Sequence, residues 1–61
     1  MRRFRVLFMD ERGRVLDAQE LLFTDEAEAV RQVAARGHDV TVELWEANRF
    51  IRRFEPHPTG R

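Results

Sequence analysis

The 61-residue chain carries 11 basic and 11 acidic residues and no cysteine, and its formal net charge is zero. A chain this short makes one small domain whose stability is marginal, because it buries only about 60% of its unfolded surface. Without cysteine there are no disulfides or thiolate metal sites, and the balanced charge argues against strong non-specific attraction to nucleic acid or anionic membranes. No apolar run suits a signal peptide or a membrane span, so we expect a cytoplasmic protein.

The first part of the chain predicts a β-hairpin. Over residues 3–9, Phe4, Val6 and Phe8 alternate with a second set, Arg3, Arg5, Leu7 and Met9, a period of two that is typical of a strand. Asp10 and Gly13 stand at the first and fourth positions of a type I turn with a glycine bulge, and a second strand follows at 14–23. The predicted register gives two cross-strand pairs, Met9 with Val15 and Phe8 with Leu16.

A helix is predicted at residues 25–36. Asp25 and Glu28 have the spacing of a capping box, and the acidic first turn suits the positive end of the helix dipole. Gly37 stands where a left-handed C-terminal cap belongs. Helical periodicity collects small apolar residues in one arc, Ala27, Val30, Val33 and Ala34.

A second hairpin is predicted over residues 40–54. In its first half Val40, Val42 and Leu44 alternate with Thr41, Glu43 and Trp45, a segment rich in β-branched and aromatic residues. Asn tolerates the left-handed conformation, so a two-residue turn is predicted at Ala47-Asn48. One register gives an aromatic pair, an aliphatic pair and an opposite-charge pair, namely Trp45 with Phe50, Leu44 with Ile51 and Glu43 with Arg52, and it places Thr41 opposite Phe54. Prolines and a glycine follow, so residues 56–61 are predicted to be a disordered tail.

These elements predict an α+β domain at residues 1–55 of ββαββ type. The simplest all-antiparallel solution places strand three beside strand one, which gives a four-stranded sheet in the order 2-1-3-4 with the helix packed on one face. Strand periodicity assigns the following apolar residues to the face under the helix: Phe4, Val6, Phe8, Leu16, Ala18, Leu22, Val40, Val42, Leu44 and Ile51.

The opposite face of the sheet is the candidate functional surface. The large apolar side chains assigned to it are Leu7, Met9, Val15, Leu21, Trp45, Phe50 and Phe54. Interleaved with them are Arg3, Arg5, Asp17, Gln19, Thr41, Glu43 and Arg52. We expect the apolar set to expose on the order of 500–800 Å², at or above the largest patch usual for a monomer.

Catalytic and metal-binding chemistry finds little support in the sequence. The two histidines, His38 and His57, have no second metal ligand at a suitable spacing, and helix capping explains the acidic cluster of Asp25, Glu26 and Glu28. There is no glycine-rich phosphate loop and no nucleophile–base pair. We therefore expect no enzymatic activity, no cofactor, no metal and no small-molecule substrate.

Three segments carry a resemblance to a known group of proteins. They are F-M-D-E-R-G-R-V at residues 8–15, D-E-A-E-A at residues 25–29 and E-L-W-E-A-N-R at residues 43–49. On these features the chain resembles a group of short bacterial proteins of similar length and ββαββ type. That group has no established activity, so the resemblance implies a fold and transfers no functional residue.

Two functions are predicted as alternatives for the open side of the sheet. In the first it binds a protein partner, most simply a second copy, through Leu7, Met9, Val15, Trp45, Phe50, Arg52 and Phe54. In the second it binds single-stranded nucleic acid through Trp45, Phe50, Phe54, Arg3, Arg5 and Arg52. The zero net charge favours the first. A third possibility is that the C-terminal tail covers part of this side and there is no partner.

Overall fold

The computed structural model describes residues 1–56, which form one antiparallel sheet of four strands and one helix. The elements are β1 (Arg2–Met9), β2 (Val15–Phe23), α1 (Glu26–Ala35), β3 (Thr41–Glu46) and β4 (Arg49–Phe54). The strand order is β2-β1-β3-β4, so the predicted ββαββ fold with order 2-1-3-4 is confirmed. The predicted tail lies outside the described residues from residue 57 onward, as does His57.

The core lies between α1 and one face of the sheet. In the described part of the chain, the buried apolar side chains are Phe4, Val6, Phe23, Ala29, Val33, Val42 and Leu44. Those from β1 and β3 are even-numbered, so the alternate residues predicted to face the helix in these two central strands do so. Small residues on the helix let it approach the sheet closely, where the large side chains of β1 and β3 fill the space.

Both ends of α1 are set by local hydrogen bonds. Asp25 is the N-cap, and its carboxylate accepts the N–H of Glu28 at 2.8 Å, as the sequence spacing predicts. Glu28 reaches back to the N–H and the hydroxyl of Thr24, and these hydrogen bonds lower the pKa of Glu28. At the other end Arg36 is extended, with φ −79° and ψ 140°, and Gly37 lies outside the left-handed region that the sequence predicts for it.

The side of α1 that meets the sheet matches the predicted one only in part: Val30 and Val33 of the predicted arc pack against the core. Ala29 and Val33, one turn apart, are buried, whereas Ala27 and Ala34 are exposed. The helix begins shortly after the buried Phe23, and this short connection sets which side of the helix is turned to the sheet. The sequence does not decide between these sides because both carry small apolar residues.

The turn between β1 and β2 is held by Asp10. One carboxylate oxygen accepts the backbone N–H groups of Arg12 at 2.9 Å and Arg14 at 2.8 Å, and the other accepts Arg14 Nε at 2.9 Å. Gly13 takes φ 81°, the left-handed conformation that a glycine bulge requires, and donates its N–H to the Asp10 carbonyl at 3.0 Å. The hydrogen bonds from Arg14 and its neighbours lower the pKa of Asp10.

A β-bulge in β2 changes the predicted register. Met9 pairs with Val15 as predicted, but Phe8 pairs with Asp17, so Leu16 is an extra residue in the strand. One extra residue reverses the facing of everything that follows it. The predicted facing of β2 is therefore wrong in both directions: toward the helix side point Asp17, Gln19, Leu21 and Phe23, and away from it Leu16, Ala18 and Leu22.

A second bulge occurs in β4. Trp45 pairs with Phe50 as predicted, but Leu44 pairs with Arg52 instead of Ile51, so Ile51 is the extra residue. Both bulges lie in the outer strands of the sheet, where bulges are most common and interrupt edge-to-edge pairing.

This second bulge corrects the placement of two predicted site residues. Phe54 pairs with Val42 and packs against the core, so it does not lie on the side away from the helix. Arg52 also lies on the helix side, with its guanidinium 6.0 Å from the Phe54 ring centroid. Glu43 pairs with Arg53 in place of the predicted Arg52. The physical reason is burial, because the bulge brings Phe54 into contact with the core.

The turn between β3 and β4 contains a left-handed residue that is not the predicted one. Glu46 pairs with Arg49, which confirms the two-residue turn at Ala47-Asn48. Ala47, however, takes φ 54°, whereas Asn48 does not have a positive φ. A side chain in this region costs free energy that glycine avoids.

Candidate interaction surface

We call the face of the sheet turned away from α1 the open face. The described residues extend over 30 × 26 × 15 Å, dimensions that fit one sheet with one helix layer. Within residues 1–56 no further element lies on the open face. Among the described residues, nothing outside the sheet covers the side chains that point from this face.

The structure brings together five of the seven residues that were predicted to bind a partner. Those on the open face are Leu7, Met9, Val15, Trp45 and Phe50. Arg52 and Phe54 are not among them. The bulges add residues that the sequence analysis missed, namely Leu16, Leu22 and Arg53. The signal that was available is the adjacent apolar pair Val15-Leu16, because a strictly alternating strand with one wet face seldom places two large apolar residues in a row.

Apolar side chains on the open face form a diagonal band across the sheet. Arg5 pairs with Trp45 and Leu7 pairs with Glu43, so Trp45 and Leu7 are diagonal neighbours on this face. Phe50 extends the band across β4, and further residues extend it across β1 and β2. We call this band the apolar stripe; it consists of Phe50, Trp45, Leu7, Ala18, Met9, Val15 and Leu16.

The apolar stripe is exposed most at its two ends. Phe50 is 48% exposed at one end, and Val15 and Leu16 are 53% and 58% exposed at the other. Trp45 and Leu7, in the middle, are half-buried. A continuous band of large apolar side chains that ends at opposite corners of a flat surface is typical of a surface that another molecule covers.

The tryptophan in the stripe is held in one orientation. Its ring lies edge-on to Phe50, with centroids 5.4 Å apart and planes at 69°. Its indole Nε1 donates to Glu43 Oε1 at 3.0 Å, and the other oxygen of Glu43 lies 3.6 Å from Arg53 Nη2. Because these contacts exist in the single chain, little ordering of Trp45 is needed when a partner binds.

One acid–base pair flanks the apolar stripe on each side. Arg5 and Glu20 are opposite each other in the register of β1 and β2 on one side, without an ion pair between them, and Glu43 is opposite Arg53 in the register of β3 and β4 on the other. The two pairs sum to zero charge, and Arg3, opposite Leu22 on the same face, leaves the open face with one positive charge in excess. The open face therefore combines an apolar centre with a charged rim of both signs, the arrangement found in protein–protein interfaces.

A separate group of charges lies on the helix side and fastens one end of the sheet. Arg2 makes a bidentate contact with Glu46, at 2.8 and 2.6 Å, and Arg49 bridges Glu46 at 3.0 Å and Glu26 at 2.7 Å. The hydrogen bond from Arg2 is the main cause that lowers the pKa of Glu46 to about 2. This group joins β1, the second turn and the start of α1, and is structural in character.

Over residues 1–56 no three side chains of the metal-binding types come together, and the helix of this part is too short and too polar to cross a membrane. His38 Nδ1 lies 3.0 Å from the Val40 carbonyl oxygen. Comparison with protein-family models, with curated proteins and with solved structures found no match.

Proposed function

We propose that this protein is a small, non-enzymatic interaction module whose open face is the interface of a two-fold homodimer. The observation that carries the proposal is the apolar stripe. It is continuous across the sheet, and its ends at Phe50 and at Val15 are about half exposed. The absence of catalysis and the cytoplasmic location expected from the sequence stay predictions and form part of the same proposal.

A second copy fits this surface for three reasons. The broad 30 × 26 Å layer has room for the roughly 800 Å² per partner that a stable interface buries. An exposed sheet face can oppose the same face of a second copy across a two-fold axis, so one sequence supplies both halves of the interface. A small domain with few buried side chains also gains stability by mass action when it associates.

Single-stranded nucleic acid fits the open face less well. Phe54 and Arg52 were predicted to belong to such a site, and both lie on the helix side. The aromatic platform is reduced to Trp45 and Phe50. Arg5 lies beside Trp45 in the neighbouring strand, and the residue opposite Arg5 in the next strand is the acid Glu20. A phosphate backbone is bound best by a basic surface without interspersed acids, so the geometry favours the protein partner.

The proposal is tested by changing the stripe and a matched position elsewhere. Phe50→Glu places a charge in the stripe, and Ala34→Glu places the same charge on the exposed side of α1. In sedimentation equilibrium we expect the unchanged protein and Ala34→Glu to have twice the chain mass of 7.3 kDa, and Phe50→Glu to have the single mass with an unchanged far-UV circular dichroism spectrum.

Two outcomes would overturn the proposal. One is an unchanged protein that stays at 7.3 kDa up to about 1 mM, the concentration range of the weakest specific association. If that monomer also shows salt-dependent quenching of Trp45 fluorescence by a single-stranded oligothymidylate, the nucleic-acid alternative replaces it. The other is a folded Phe50→Glu variant that still dimerises, which would place the interface elsewhere.

A further inference from the structure

We infer that the two-fold axis of the dimer runs along the apolar stripe, so that Arg5 of each copy faces Glu43 of the other. This inference rests on the proposed function of the open face and specifies which residues meet across it. It follows from the cross-strand register and from the signs of the charges beside the stripe.

The geometry of a face-to-face dimer limits the choice of axis. The axis lies in the plane of contact, so each residue meets the residue at its mirror position across that axis. An axis parallel to the strands brings Leu7 opposite Glu43 of the second copy, which buries a carboxylate against an apolar side chain. Only two directions of the two-fold axis place the apolar stripe of one copy on the apolar stripe of the other, one along the stripe and one across it. Both make the two sheets cross at a large angle, as in orthogonal sheet packing.

The charges decide between these two directions. Arg5 lies beside Trp45 and Glu43 lies beside Leu7, at equivalent distances on opposite sides of the stripe. An axis across the stripe brings Arg5 onto Arg5 and Glu43 onto Glu43. An axis along the stripe brings Arg5 onto Glu43, and symmetry makes this contact twice. Like charges that meet in a partly desolvated interface are strongly disfavoured, so the axis along the stripe is selected.

The two side chains are suited to this contact. Arg5 is exposed, and within residues 1–56 its guanidinium makes no ion pair or side-chain hydrogen bond, so it has donors to offer. Glu43 is fixed by the indole of Trp45 at one carboxylate oxygen and by Arg53, 3.6 Å from the other, and its side chain is 13% exposed, so Arg5 of the second copy shares a carboxylate that Arg53 already contacts. A preset carboxylate and an available guanidinium favour a charge-assisted hydrogen bond without much further ordering.

A double-mutant cycle tests the contact. The variants are Arg5→Gln, Glu43→Gln and the two together, and the dimer dissociation constant is measured by sedimentation equilibrium at low salt. Glutamine keeps an oxygen that accepts from Trp45 Nε1 but gives up the ion pair with Arg53, so an unchanged far-UV circular dichroism spectrum is required of Glu43→Gln. We expect each single variant to weaken the dimer about 3-fold to 10-fold, and the double variant to weaken it clearly less than the product of the two. Arg31→Gln, the same change on the exposed side of α1, should leave the constant unchanged.

The outcomes separate this inference from the proposed function. A tighter dimer in Arg5→Gln would show that like charges meet and that the axis runs across the stripe. Effects of the two single variants that simply multiply would show that Arg5 and Glu43 do not meet. Either result overturns the inference and leaves the open face as the interface. An unchanged protein without any dimer overturns both.

Discussion

Phe50 and Phe54 lie four residues apart in β4 and point to opposite faces of the sheet. Phe50 packs edge-on against Trp45 at 5.4 Å on the open face, whereas Phe54 pairs with Val42 and packs against the core. An unbroken strand would place both on one face, because four residues are two full periods. Because Ile51 is an extra residue in the strand, Phe54 contacts the core and Phe50 lies on the open face.

The first prediction compares these two phenylalanines. Phe54→Ala should lower the free energy of unfolding by about 2 kcal/mol, because it leaves a cavity beside the core. Phe50→Ala should cost the monomer less than about 1 kcal/mol, because the side chain is 48% exposed. Urea unfolding at concentrations where the monomer dominates measures both. Equal losses would show that the two rings share one environment and that the bulge is misplaced.

The second prediction concerns the left-handed residue of the second turn. Ala47 takes φ 54°, so Ala47→Gly should raise the free energy of unfolding by about 1 kcal/mol, which in a domain of this size raises the melting temperature by roughly 4–8 °C. Asn48→Gly is the matched control and should give no gain, because Asn48 does not have a positive φ. Stabilisation by the change at Asn48 instead of at Ala47 would contradict the turn geometry.

The third prediction is a pH dependence that arises at Glu46. Its pKa is lowered from an ordinary 4.5 to about 2, first by the hydrogen bond from Arg2 and further by Arg49. The unfolded chain binds a proton at Glu46 more readily than the folded chain does, so the contribution to stability is complete above about pH 4.5 and is lost as the pH falls toward 2.

A carboxyl-carbon NMR titration of the folded protein measures this directly. We expect the Glu46 midpoint near 2, and we expect Arg2→Gln to move it upward. In Glu46→Gln the stability should fall less steeply between pH 5 and pH 2, although Asp10 and Glu28, whose pKa values are also lowered, keep part of the slope. An ordinary Glu46 midpoint would mean that the contact with Arg2 is not formed in solution.

The central strands could be predicted from the sequence and the outer strands only in part. In β1 and β3 the period of two alone separates buried from exposed residues, and Val42 and Leu44 are buried as that period requires. In β4 the two residues after Ile51 are both arginines. In either possible register one arginine points to each face of this edge strand, so the sequence pattern does not fix the register. The decision comes from contact of Phe54 with the core, which sequence periodicity does not contain.

The candidate site was predicted to the same extent. The aromatic pair of Trp45 and Phe50 follows from the short turn that joins their strands, since the turn fixes their register before any bulge intervenes. The prediction contains no bulge in β2 and therefore places Leu16 and Leu22 in the core. In the structure Leu16 is the extra residue of the first bulge and Leu22 follows it, so both lie on the open face. Positions close to a turn are therefore predictable from local chemistry, whereas positions beyond a bulge depend on the packing of the whole sheet.

The central claim, that the open face joins two copies of the chain, is tested most directly by a dilution series of the unchanged protein. Its mass is followed by sedimentation equilibrium and the emission of Trp45, the one tryptophan of the chain, is followed in the same samples. We predict that the mass falls from twice 7.3 kDa to 7.3 kDa and that the Trp45 emission shifts to longer wavelength with the same midpoint, because the indole gains contact with water when the stripe is uncovered. A mass of 7.3 kDa throughout, or a dimer whose dissociation leaves the Trp45 emission unchanged, would contradict the claim.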